Sequence, residues 1–118
     1  SRIDIRALTR IPELAAIRPG GMYDIGAWGS RIGGRQPVCK STFYIYQLGA
    51  DELSNLPLLL RKLSHIHGSA DAIVTTPDTL SLWCCPMSPA EFPNLVRDAA
   101  EILRLLEMAH DSPYRSGA

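Results

Sequence analysis

The chain has 118 residues, 46% of them hydrophobic, with 12 basic and 12 acidic side chains, so its formal net charge is zero at neutral pH. That length predicts one domain over residues 1–118, with room for a real core but small enough for dimerisation to help. The balanced charge leaves no global field for a polyanion, no basic helix or finger motif is present, and no apolar run approaches the ~20 residues that span a bilayer, so neither nucleic-acid binding nor membrane insertion is expected.

Taken in order, Ile3, Ile5, Leu8 and Ile11 to Ile17 suggest a short helix around residues 3–10, or one restarting at Pro12 and ending before Pro19. Pro19-Gly20-Gly21 breaks the chain. Met22 to Trp28 has strand character, and Ser30 to Pro37 reads as a hairpin loop leading into the next strand. From Phe43 to Leu48 two apolar sets alternate, which predicts a strand in the middle of a sheet. Gly49 and Asp51 supply turn and cap chemistry for a helix carrying leucines at 53, 56, 58, 59, 60 and 63, with Pro57 in its first turn and its end near Gly68. Three consecutive leucines make its apolar surface wider than one sheet face can cover, so a homodimer interface is expected at Leu56, Leu59, Leu60 and Leu63, with Leu59 and Leu63 on the outer face.

Ala72–Thr76 and Thr79–Cys85 flank Pro77-Asp78 and predict a hairpin, with Leu80, Leu82 and Cys84 on one face and Ser81, Trp83 and Cys85 on the other. Ser88 and Glu91 stand at capping-box spacing before a helical stripe of Phe92, Leu95, Val96, Ala99, Ile102, Leu103, Leu106 and Ala109; residues 113–118 should fray. The order is α-β-β-(β)-α-β-β-α, an α+β fold with helices packed on an antiparallel sheet.

Charge is uneven along the chain. Residues 1–47 carry seven basic and three acidic side chains and residues 48–118 five and nine, and the two segments are expected to pack and neutralise each other. Three cysteines, two of them adjacent, do not make a disulfide framework, and nothing resembles a signal peptide, so a reducing cytoplasm is expected. The chain starts at Ser1 without an initiator Met, consistent with native residues preceding it.

For chemistry, His65 and His67 with Cys84 and Cys85 lack metal-ligand spacing, and no signature ties Cys39, Cys84 or Cys85 to a base. Gly26, Gly29, Gly33 and Gly34 lack the GxGxxG and Gly-Lys-Ser/Thr patterns of a phosphate cradle. Asp4, Glu13, Asp24, Asp71 and Asp78 are scattered. The residues therefore predict no catalytic group, no metal and no cofactor.

The aromatic strand running into Tyr46–Leu53 (YQLGADEL), the leucine helix, the hairpin ending in Thr79–Ser88 (TLSLWCCPMS) and the long last helix together resemble the small homodimeric effector chaperones of type III secretion systems, in the branch that serves several effectors. Ile3-Asp4-Ile5-Arg6-Ala7-Leu8 is similar to the opening helix of that family, and the resemblance covers residues 42–110 better than 9–41. It implies an order α-β-β-β-α-β-β-α and a non-enzymatic role in the bacterial cytoplasm: holding the extended N-terminal segment of a secreted effector in a secretion-competent form and delivering it, with the secretion ATPase as a further partner. Ile5, Leu8, Tyr44 and Trp83 are the candidate client-binding residues. The competing classes are another interaction or ligand-sensing module on the same plan, profilin-like or inhibitor-type, and a small cysteine or metal enzyme; fold alone does not separate them.

Overall fold

The computed structural model describes residues 2–20, 29–50, 53, 56–66, 70–85 and 88–110. At the N-terminus Ile3 and Ile5 alternate with Arg2, Asp4 and Arg6, and this period of two prevails over the helical spacing from Ile5 to Leu8. The expected opening helix is instead a strand, β1 (Arg2–Arg6), with Ile3 opposite Leu82 and Ile5 opposite Leu80. No helix restarts at Pro12 either. Leu14–Ile17 form β2, all four residues buried, because both faces of this segment are covered and an apolar run then suits a strand as well as a helix.

Gly29–Ile32 make a single helical turn, α1, which ends at Gly33 and Gly34 with φ of 57° and 81°, the left-handed region that a C-cap favours. Next come β3 (Cys39–Lys40) and β4 (Tyr44–Gln47). Their turn lies at residues 41–43, where the Ser41 N–H donates to the Phe43 carbonyl at 3.1 Å, and not in the expected 30–37 loop. The expected strand at Met22–Trp28 lies outside the described residues, as do Asp51, Gly68 and residues 113–118.

After β4 the chain forms α2 (Leu56–Ser64), with Pro57 in its first turn as expected. β5 (Ala70–Thr75) and β6 (Thr79–Cys84) make the expected hairpin. The Thr76 N–H donates to the Thr79 carbonyl at 2.9 Å, and Asp78 Oδ1 accepts both threonine hydroxyls at 3.0 Å. Those two bonds, first from Thr76 and then from Thr79, hold the exposed Asp78 carboxyl below its ordinary range. α3 (Phe92–His110) follows Ser88, whose N–H donates to Glu91 Oε2 at 3.2 Å, the back-reaching half of the capping box.

Among the described residues the six strands form one antiparallel sheet in the order β1-β6-β5-β2-β4-β3. β5 and β2 occupy the middle; β4, expected there, is displaced towards the edge because β2 inserts between it and the hairpin. One face carries Ile3, Leu82, Ile73, Ala16 and Ile45 in a row and is covered by Leu59 and Leu63 of α2, Ile66, and Leu95, Ala99, Ile102, Leu103 and Leu106 of α3. Leu59 and Leu63, expected on an outer dimer face, are therefore core residues at 2% exposure each. Leu56 and Leu60 are half-buried flanks of that core, and Leu58 is the exposed leucine of the three. At 100° per residue a wide apolar helix keeps only one of three consecutive leucines fully inward. The other sheet face carries a smaller cluster of Ala15, Ile17, Tyr46, Ala72 and Val74 with Ile32 of α1.

Thr75 joins the two halves of this sheet. Its buried hydroxyl accepts from the Leu14 N–H at 2.8 Å and donates to the Pro12 carbonyl at 2.7 Å. Thr75→Val keeps the shape and removes both bonds, leaving a buried donor and acceptor unpaired. The expected loss is about 1–3 kcal/mol in the free energy of unfolding, measured by urea titration with an unchanged slope.

Candidate functional site

The strand register places Arg2, Trp83, Ala72, Ile17, Tyr44 and Lys40 in one row across all six strands. Arg2 stacks over the Trp83 ring and Lys40 over the Tyr44 ring, both at 5.7 Å from the centroid, so each end of the row closes with a cation on an aromatic face. Between them Ala72 and Ile17 are buried. Trp83 and Tyr44, two of the expected client-binding residues, thus share a sheet face but stand three strand spacings apart, about 14 Å.

Ile5 points the other way and packs, half-buried, on the main core. Leu8 follows the end of β1 and is 91% exposed, with its N–H donating to a Glu107 carboxylate oxygen of α3. The four expected residues do not form one patch. Ile5 and Leu8 mark the rim of β1, Trp83 lies one strand away, and Tyr44 is remote.

The feature that sequence reasoning missed is the edge itself. Among the described residues β1 pairs only with β6. The Ala7 N–H donates to the Asp78 carbonyl at 2.7 Å, and the register therefore assigns the ladder bonds of β1 to Ile3, Ile5 and Ala7. The backbone N–H and C=O groups of Arg2, Asp4 and Arg6 point outward, away from β6. Their side chains lie on the Trp83 face. Arg2 pairs with Asp4 at 3.1 Å, Asp4 accepts the Ser81 hydroxyl at 2.6 Å, and Arg6 reaches Asp78 at 3.8 Å, a contact between the basic first segment and the acidic second. The signal that could have found the edge was the alternation of charged and apolar residues from 2 to 6.

The thiols sit elsewhere. Cys84 is buried in the main core, and burial raises its pKa. Cys85 donates to Asp71 Oδ2 at 3.0 Å; Asp71, itself buried, occupies the irregularity where β5 steps from Ala70 to Ala72. That hydrogen bond, and secondarily desolvation, raises the Cys85 pKa as well. His65 is exposed, with Nδ1 hydrogen-bonded to the Arg61 carbonyl at 2.8 Å, while His67 lies outside the described residues. Among the described residues no group of three or more His, Cys, Asp and Glu side chains is placed to hold a metal ion. A cleft between α2 and α3 is lined by Arg61, Lys62, His65, Asp98 and Glu101; its Lys62–Glu101 pair closes at 3.1 Å and its charges balance, which leaves no field for an anion or a cation. No helix among the described residues is long and apolar enough to cross a membrane.

Iodoacetamide should alkylate Cys85 more slowly than a free cysteine at pH 8, because the thiolate is the reacting form and the Asp71 carboxylate disfavours it. Asp71→Asn removes that charge and should raise the rate, followed by peptide mass spectrometry; an unchanged rate would detach the thiol from Asp71. In comparisons with known proteins, no family model matches the chain, and no curated protein or solved structure matches it.

Proposed function

We propose that this chain is a non-enzymatic chaperone of the type III secretion kind, which takes the extended N-terminal segment of a secreted effector onto the open edge of β1 and keeps it secretion-competent. The observation that carries this reading is the edge. Backbone groups of Arg2, Asp4 and Arg6 point away from β6, and the strand leads to the nearly fully exposed Leu8. An extended segment pairing there gains main-chain hydrogen bonds that are largely indifferent to its side chains, while an exposed leucine gives it one apolar anchor. That combination suits a holder of more than one client.

Two further observations support the reading. From β3 onward the elements run β-β-α-β-β-α, the order that the resemblance implies for this part of the chain. Thiols held protonated by burial or by a carboxylate make poor nucleophiles at neutral pH. In this arrangement Ile5 supports the edge from the core side and Trp83, under Arg2, lies one strand away on the other face, whereas Tyr44 is beyond the reach of a segment on β1. The bacterial cytoplasm and the secretion ATPase belong to the same proposal as its place and its downstream partner.

The test is retention of the chain on immobilised synthetic N-terminal segments of type III secreted effectors. Leu8→Asp should lower capture about tenfold or more while changing stability by less than about 0.5 kcal/mol, because an exposed side chain contributes to binding and not to the core. Ile5→Asp should instead lower the melting temperature, since it sets a carboxylate against the apolar core. An intact chain that retains no segment ends the chaperone reading. Capture that survives both Leu8→Asp and N-methylation of alternate peptide amides removes the β1 edge from it.

A further inference from the structure

We propose that the open edge of β1 selects its partner by sign: it takes an antiparallel extended segment carrying acidic, basic and acidic side chains at alternate positions, with apolar residues between them. This rests on the reading that the edge receives an extended partner, and it adds that partner's chemistry. The outward backbone groups belong to Arg2, Asp4 and Arg6, so three alternate residues of a paired segment exchange bonds with them and stand directly opposite, on the Trp83 face. Pairing ends beyond Arg6, because the chain has left β1 at Leu8, whose N–H is given to Glu107.

The charges on these three residues are not equally free. Asp4 is met on both oxygens, Oδ2 by Arg2 Nε at 3.1 Å and Oδ1 by the Ser81 hydroxyl at 2.6 Å. Arg2 reaches Asp4 through Nε while its guanidinium lies over the Trp83 ring, and a guanidinium has five N–H donors, so its outer fork remains for a second carboxylate. Arg6 is freer still: its side chain is 83% exposed, and its acidic neighbour Asp78 is 3.8 Å away, beyond hydrogen-bond length. The edge therefore offers two cationic forks, about 13 Å apart along the strand, on either side of a carboxylate matched within its own chain. An acid at each end of the segment answers the forks. A basic residue between the two acids relieves their mutual repulsion and meets the remaining lone pairs of Asp4.

One register satisfies this pattern. A slip of two residues sets an acid on Asp4 and a base on an arginine, so both contacts repel. A slip of one turns all three charges to the face where Ile3 and Ile5 join the core. Three signs within five residues are a light requirement, and segments that differ elsewhere can meet it.

The test is fluorescence anisotropy of the full chain with a labelled, Gly-Ser-flanked peptide carrying Glu-Val-Lys-Val-Glu, against the same host carrying Lys-Val-Glu-Val-Lys. The first should bind about tenfold tighter, with the difference shrinking as salt rises because the pairs are exposed. Arg2→Glu, Asp4→Lys and Arg6→Glu made together should invert the preference, an outcome that loss of folding cannot produce. N-methylation of the two glutamates and the lysine blocks the amides that face β1 and should abolish binding, whereas N-methylation of the valines, whose amides face away, should leave it. Equal binding of the two peptides, binding of neither, a preference unmoved by the triple substitution, or binding that survives methylation of the charged residues overturns the proposal. Effector segments retained under any of those outcomes leave the chaperone reading standing. A chain that shows the sign preference and retains no effector segment does the reverse, and one that binds neither host peptide nor effector segment ends both.

Discussion

Where the chain enters β2 past Pro12, the buried Thr75 hydroxyl bridges two backbone groups, accepting from the Leu14 N–H and donating to the Pro12 carbonyl. The consequence is larger than two hydrogen bonds. β2 is only four residues long, yet it is the strand between the β1-β6-β5 half of the sheet and the β4-β3 half. The Leu48 N–H, donating to the Glu13 carbonyl at 3.0 Å, extends the ladder by one step on the other side. A short strand in the centre needs every bond it can make, since each unmatched buried amide would cost more than a typical bond contributes.

The same strand sets how closely the layers approach. Ala16 lies on the face under α2 and α3 and Ala15 on the reverse, so β2 offers a low profile on both sides. Larger side chains on the neighbouring strands and on the helices fill the space above it: Ile73 and Ile45 on one face, Val74 and Tyr46 on the other. Towards the rims of the reverse face the rings of Trp83 and Tyr44 take over, each under a cation. A guanidinium or an ammonium on a ring keeps its own hydration while covering apolar surface, which lets a sheet end in half-buried aromatics without an open greasy border.

How much of this was legible followed from how many faces each segment buries. β6 and α3 each have one covered face, so their periods of 2 and 3.6 stand out against polar partners, whereas β5 is buried on both faces and was legible through its β-branched residues and the Pro77-Asp78 turn that follows it. β2 is covered on both sides and has no period to read; Leu14 and Ile17 sit at helical spacing by chance. β1 did alternate, but Leu8 and Ile11 extended the pattern at helical intervals, and no local rule says that the chain bends after Arg6. α2 was found as a helix, whereas its orientation was not, because the choice among Leu58, Leu59 and Leu60 depends on which of them α3 and the sheet leave room for. The alternation of charged and apolar residues from 2 to 6 was the one sign of the edge in the sequence, and it does not place the strand, since being an edge is a property of strand order.

Edge strands are ordinarily blunted by shortness and by charge, and β1 has both, with five residues of which three are ionised. The arrangement of the signs adds something that charge alone does not. A strand of uniform sign repels its own copy in every register and welcomes any opposite strand in all of them. Basic, acidic and basic residues at alternate positions behave differently: a shift of two residues turns attraction between like strands into repulsion. Apolar positions between the charges forbid the shift of one. Selectivity at such an edge therefore resides in spacing along the chain and requires no shaped pocket.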